Sequence, residues 1–317
     1  MLYIFYNDVD SNPCASLVLA QLENPNVRLV PAGRQLFLFR NKLSRIFLHI
    51  GWRLKIPFML NFTREFLRVV KGIKESDSIL VFGSGICISP RIAFPFFKVC
   101  RAQKKYKWIW DTILNEEDQK WLFELKDNFK VYSFDKSDAR KYGLTYKNTV
   151  CALPPKSAGA GTSCPNFDCD VYFVGYDRGR YELLNGLYEQ FAALGLSCKF
   201  FVLRDPSSPK EEKSLRFCSE RISPQENLAN TAKARAVLDI PTKGQGGLTQ
   251  RTLEGLFMGR KVITSNASVK EEKIYSEADV FLLDDRPLQS LPAFINSPFE
   301  PIDAAPYTIN EWIKEFL

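Results

Sequence analysis

The sequence predicts an α/β protein of two parallel-sheet domains facing a cleft. Three observations point there. Short apolar runs alternate with helical stretches along most of the chain, the pattern of a sheet covered by helices. A stretch rich in Pro, Gly and Ser, residues 154–166, breaks that alternation near the middle. Residues 236–264 read as one complete strand–loop–helix–strand unit. These place the predicted domains at 1–153 and 167–300, and a length of 317 residues accommodates both.

The first domain opens with an apolar run, Leu2–Tyr6, read as a buried strand. An acidic loop over 7–13 and a helix over 15–22 follow. Ligands of open α/β sheets sit at the carboxyl ends of strands, so Asp8 and Asp10 are expected in the cleft. They are read either as turn and cap residues or as a general base for an acceptor hydroxyl. The loop lacks the GxGxxG pattern, which argues against a nicotinamide site. Further strands are expected at Ser78–Phe82, 108–110 and 130–134. Gly83-Ser84-Gly85 is read as a turn, Asp111 as a third cleft acid, and Asp135 as a helix N-cap.

Residues 34–74 hold ten Lys or Arg against one acid, Glu65. Aromatic and aliphatic residues, among them Phe37, Phe39, Phe47, Trp52, Phe58 and Phe62, are interleaved with those cations. That mixture suits an anionic membrane surface, with rings in the interface and cations on headgroups. It also fits amphipathic helices that cover the sheet with their charges solvated. A nucleic-acid partner is not expected, because no nucleic-acid motif accompanies the charge.

In the second domain, strands are expected over 170–174 and 199–203, with a loop at 175–180 and a helix at Tyr181–Ala193 between them. Arg221 and Ile222 form a short extended piece. Ser223 with Glu226 three residues on is a helix start. The central unit begins with a strand over 236–240 and enters a loop carrying Gly244, Gly246 and Gly247. A helix over 248–258 follows, and Gly259 ends it in the left-handed conformation. Lys261–Thr264 is the closing strand. A helix N-terminus beside such a loop favours a phosphate through its free N–H groups and dipole. Glu254 lies two turns into this helix as its one acid, placed to accept hydrogen bonds from ribose hydroxyls. A last strand is expected at 280–283, then an amphipathic helix at 306–317 with Ile309, Trp312, Ile313 and Phe316 on one face.

This central stretch resembles the donor-site motif of GT-B-fold, nucleotide-sugar-dependent glycosyltransferases of the bacterial capsule and lipopolysaccharide type. The match is Glu254-Gly255 followed by Gly259-Arg260-Lys261-Val262-Ile263. The resemblance implies two Rossmann-like domains. It implies a donor site made of Gly175, Arg178, Ile222, Lys243, Gly246, Gly247, Leu248, Thr249 and Glu254. In it the glycine loop cradles a diphosphate, Arg178 (with Arg180 as a second candidate) and Lys243 add charge, backbone at Ile222 meets the base, and Glu254 holds the ribose. It also implies that the terminal helix, within 301–317, packs back on the N-terminal domain. Many members carry a second glutamate eight positions before the first, where this chain has Gly246, and a lysine shortly after the loop arginine, which is absent here.

Composition bounds the reading further. The chain is 45% hydrophobic and 25% charged, as expected of a globular protein. One histidine, His49, limits histidine catalysis to one candidate. The eight cysteines show no CxxC pair and are read as reduced, mostly buried thiols rather than zinc ligands. No signal peptide and no eighteen-residue apolar window are read. The expected location is cytoplasmic, at the inner face of the membrane. The activity the resemblance implies is hexosyl transfer from a nucleotide-sugar to a hydroxyl of a glycan; the alternatives are a nucleotide-sugar epimerase on the same fold or a non-catalytic, transferase-like binding or scaffold protein. No metal or cofactor is expected beyond the donor itself, and the expected acceptor is a lipid-linked oligosaccharide.

Overall fold

The computed structural model describes residues 1–6, 13–32, 46, 50, 54, 63–83, 100–113, 122, 126–152 and 166–317. The chain divides into two compact units, Met1–Val150 with Tyr307–Leu317, and Cys151–Pro306.

In the first unit the elements are β1 (Leu2–Tyr6), α1 (Pro13–Leu19), β2 (Val27–Pro31), α2 (Arg64–Gly72), β3 (Ser78–Phe82), β4 (Lys104–Ile109), β5 (Lys130–Ser133), α3 (Lys136–Tyr142) and β6 (Thr145–Tyr146). The strands form a parallel sheet in the order β2-β1-β3-β4-β5-β6. Every residue of β3, Ser-Ile-Leu-Val-Phe, is buried. A central parallel strand covered on both faces requires such an unbroken apolar run. Phe66 and Val70 of α2 bury against Phe5, Val30, Ile79 and Val81. That helix supplies part of the basic stretch, and its Arg64, Arg68 and Lys71 are exposed. Asp135 caps α3, its carboxylate accepting from the Ser137 and Asp138 N–H groups at 2.8 and 3.3 Å.

The chain end belongs to this unit. A short helix, Ile309–Trp312, continues as a 3₁₀ turn to Phe316. The Trp312 indole donates to the Asn148 carbonyl at 2.8 Å, and its ring lies 4.9 Å from that of Trp108. Phe316 packs edge-on to Tyr132 at 5.1 Å.

In the second unit the elements are β7 (Cys169–Tyr176), α4 (Tyr181–Ala193), β8 (Cys198–Leu203), β9 (Phe217–Cys218), α5 (Pro224–Ala232), β10 (Ala234–Asp239), α6 (Gln250–Phe257), β11 (Lys261–Thr264), β12 (Val280–Leu282) and α7 (Leu291–Asn296). The sheet is again parallel, in the order β12-β11-β10-β7-β8-β9. The extended piece expected at Arg221-Ile222 is irregular chain, and the edge strand lies earlier at Phe217–Cys218. Ser223 caps α5 by accepting from the Glu226 N–H at 3.1 Å. Gly259 has φ 67° and ends α6 as its position predicts.

After β7 the chain crosses to β8 on one side of the sheet, while β10 lies on the other. The strand order therefore reverses between β7 and β10. Loops leaving neighbouring strands on opposite sides of such a point open a crevice at the carboxyl ends. In the first unit the same reversal falls between β1 and β3. Asp8 and Asp10, which follow β1, lie outside the described residues, as do most of residues 34–62.

The six described cysteines are free thiols. Among the described residues no helix is long and apolar enough to cross a membrane.

Candidate functional site

The end of β7 carries the first half of the crevice. Arg178 is held in the left-handed region at φ 49°, with its N–H donating to the Asp205 carboxylate at 2.6 Å. Its side chain is exposed. Arg180, by contrast, is buried. Its Nε donates to the Asp177 carbonyl at 2.9 Å, and its two terminal nitrogens donate to the Tyr176 and Ile240 carbonyls. It thus ties the ends of β7 and β10 together, a task the sequence did not reveal. Asp177 is fully buried and neither carboxylate oxygen accepts a hydrogen bond.

A third guanidinium joins from α6. Arg251 donates from Nε to the Val174 carbonyl at 2.9 Å and from Nη1 to Asp239 at 2.7 Å. A side chain at Gly175 would put its Cβ 3.2 Å from Arg251 Nη2 and 3.5 Å from Arg180 Nη2. Glycine is what lets two guanidinium groups close on the strand end. Burial and the neighbouring Arg251 and Arg178 charges lower the Arg180 pKa to about 10. Three guanidinium groups, Arg178, Arg180 and Arg251, thus gather at this strand end, together with the carboxylates of Asp177, Asp205 and Asp239.

The second half is the loop from β10 into α6. Thr249 is the N-cap of α6, its hydroxyl accepting from the Thr252 N–H at 3.3 Å. The Asn266 amide, from beyond β11, donates to the Gly246 and Gly247 carbonyls at 3.2 and 3.3 Å. Glycines make this loop pliable, and Asn266 holds it in one shape. Helix α6 can lie close on the sheet because Gly255 faces it. A Cβ there would sit 3.2 Å from Val262 Cγ2 and 3.3 Å from Val237 Cγ2.

Glu254 stands about one turn into α6, since the helix begins at Gln250 rather than at 248. It is half-buried, and Oε2 accepts from the Asn227 amide at 2.9 Å. The Asn227 carbonyl in turn accepts from the Tyr172 hydroxyl at 3.1 Å. Burial raises the Glu254 pKa to about 7, against the opposing pull of Asn227 and Arg251.

No protein-family model matches the sequence, and no curated protein matches it. Solved structures do. An α-glucosyltransferase in complex with UDP and a 13-mer DNA superimposes with a TM-score of 0.56 at 12% identity, covering 99% of this chain and 94% of that one. The UDP-GlcNAc 2-epimerase from Methanocaldococcus jannaschii superimposes with a TM-score of 0.51 at 12% identity, covering 99% and 97%. The fold is GT-B. Two Rossmann-like domains, each with a parallel sheet, account for the topology of the described residues.

Within the GT-B second domain, the sequence-selected residues fall as follows. Gly175 and Arg178 lie at the end of β7, and Lys243 is exposed in the glycine loop. Gly246 is half-buried, Gly247 and Leu248 are buried, and Thr249 caps the helix. Ile222 packs on the cluster that contains Tyr172, whose hydroxyl donates to Asn227. Sequence reasoning missed Asn227, Asp239, Arg251 and Asn266. Arg251 lies within the motif but was given no role, and the other three carry no local signal.

Proposed function

We propose that the chain is a glycosyltransferase that moves a hexose from a nucleotide-sugar to a hydroxyl of a glycan. The observation that carries this reading is the Glu254 carboxylate, held by Asn227 beside the crevice where the strand order reverses. A fixed carboxylate close to a cationic glycine loop matches the two ends of a nucleoside diphosphate. On this reading the diphosphate lies along Gly246, Gly247, Leu248 and Thr249, with Arg178 and Lys243 adding charge. Glu254 accepts from the ribose hydroxyls, and backbone at Ile222 borders the base.

The chemistry follows from that placement. The acceptor oxygen bonds to the anomeric carbon as the bond from that carbon to the diphosphate breaks. The leaving diphosphate gains negative charge, which the α6 dipole and the guanidinium cluster stabilise. The acceptor proton must go to a base, for which Asp8 or Asp10 is the choice made on sequence grounds. A lipid-linked oligosaccharide acceptor, an anionic membrane contact through residues 34–74 and a place in capsule or lipopolysaccharide synthesis rest on the sequence patterns alone.

A second reading, epimerisation of the nucleotide-sugar, is favoured by the likeness to the 2-epimerase. The single histidine counts against it. The test is thermal unfolding with UDP, GDP, ADP, CDP and TDP, in the wild type and in Glu254→Ala. Donor-nucleotide binding is expected to show as a rise in the midpoint with one base, abolished in the variant. No rise with any of them would overturn the nucleotide reading. Conversion of the sugar moiety without an acceptor would select epimerisation.

A further inference from the structure

We propose that Asn227 is a positioning residue that makes this site select ribonucleoside over 2′-deoxyribonucleoside diphosphates. The inference rests on the nucleotide reading above and deepens it.

Asn227 lies on α5, which packs against β7, β10 and α6. Its amide is locked from both ends. Nδ2 donates to Glu254 Oε2 at 2.9 Å, and Oδ1 accepts from the Tyr172 hydroxyl at 3.1 Å. The Tyr172 ring is fully buried, so the hydroxyl is a fixed donor. Asn230, one turn further along α5, also reaches that hydroxyl, and Lys199 Nζ holds the Asn230 carbonyl at 3.0 Å. Turning the Asn227 amide over would bring its carbonyl oxygen against the Glu254 carboxylate, two acceptors with no proton between them. While Glu254 is ionised the amide therefore has one orientation, and it pins the carboxylate through Oε2.

The consequence concerns Oε1, which accepts no hydrogen bond from the described residues. A ribose presents two adjacent hydroxyl donors, and a carboxylate of fixed plane can accept from both at once. A 2′-deoxyribose offers one. When the carboxylate is held, the missing donor leaves a partly buried acceptor unpaired, and selectivity results. A carboxylate free to rotate would turn to water and lose that discrimination. Asn227 does not touch the sugar in this scheme. It acts through Glu254.

The test is titration calorimetry with UDP against 2′-deoxy-UDP, and with the matching GDP, ADP and CDP pairs. The expected wild-type result is a preference for the ribonucleotide on the order of tenfold. Asn227→Ala is expected to keep diphosphate binding while the ratio falls towards unity. Tyr172→Phe, which removes the donor that orients the amide, is expected to lower the ratio by a smaller factor. A purely structural Asn227 would weaken both ligands equally and leave the ratio unchanged, which overturns the proposal. Should Asn227→Ala fail to fold, an unchanged ratio in Tyr172→Phe overturns it instead. Wild-type binding without a ribose preference defeats this inference and leaves the nucleotide reading standing. Absence of binding by every pair defeats both.

Discussion

Arg251 Nη1 lies 2.7 Å from Oδ1 of Asp239, a carboxylate with no solvent exposure. Thr252 donates its hydroxyl to the other oxygen at 2.8 Å, and Arg251 also donates to Val174. One guanidinium thus joins β7, β10 and the first turn of α6. Removing it strands a buried charge, which costs more than the pair itself contributes. Arg251→Ala is expected to destabilise the protein by about 3–5 kcal/mol in denaturant unfolding. Arg251→Lys, which keeps the charge and loses the fork, should cost less. A loss below about 1 kcal/mol in the alanine variant would show that Asp239 finds other compensation.

Glu254 makes stability depend on pH in an unusual direction. Its pKa rises from 4.5 to about 7 on folding, so the folded state binds the proton more tightly. Its contribution is complete below pH 4.5 and is lost as pH rises through 7. The shift corresponds to no more than roughly 3–4 kcal/mol. Between pH 5 and 8 the wild type is expected to lose stability relative to Glu254→Gln, whose side chain does not titrate. Parallel pH profiles for the two proteins would refute the shift. A ligand that donates hydrogen bonds to the ionised form should also release a proton on binding near pH 6, seen as buffer-dependent calorimetric heat.

Arg178 sits in a conformation that glycine adopts without penalty, at φ 49°. Strain of this kind at an exposed loop arginine is consistent with a binding role. Arg178→Gly is expected to raise stability by up to about 1 kcal/mol and to weaken nucleoside diphosphate binding. Tighter or equal binding in that variant would remove Arg178 from the diphosphate site.

Asn266 holds the glycine loop through the Gly246 and Gly247 carbonyls and caps the following 3₁₀ turn by accepting from the Ser268 N–H at 3.1 Å. Asn266→Ala should cost about 1–2 kcal/mol in stability. It should reduce diphosphate affinity by more than that loss alone produces, measured well below the unfolding midpoint. Unchanged affinity would mean that the loop keeps its shape without the asparagine.

The features readable in the sequence are those whose cause lies within a few residues. Ser223 caps a helix because its partner N–H is three residues on, and Gly259 ends one because its own backbone turns left-handed. Leu2–Tyr6, Ser78–Phe82 and Lys261–Thr264 announce buried parallel strands by apolar runs alone. The same local logic marked Glu254 and the glycine loop, though it set the helix start two residues early. Long-range pairing was not legible. Asn227 and Glu254 are 27 residues apart, and nothing in either segment names the other. Arg178 and Arg180 look alike as loop cations, yet one is exposed and the other spends its donors on carbonyls from two strands. What the sequence by itself determined is the α/β class, most of the central strands and the motif that opens α6, because hydrophobic period and capping are local; the edge strands β2, β6 and β9 were not read from it. Only the tertiary structure decided which polar groups meet at the crevice, because a buried donor or acceptor is satisfied by whatever the packing of distant elements brings within hydrogen-bond reach.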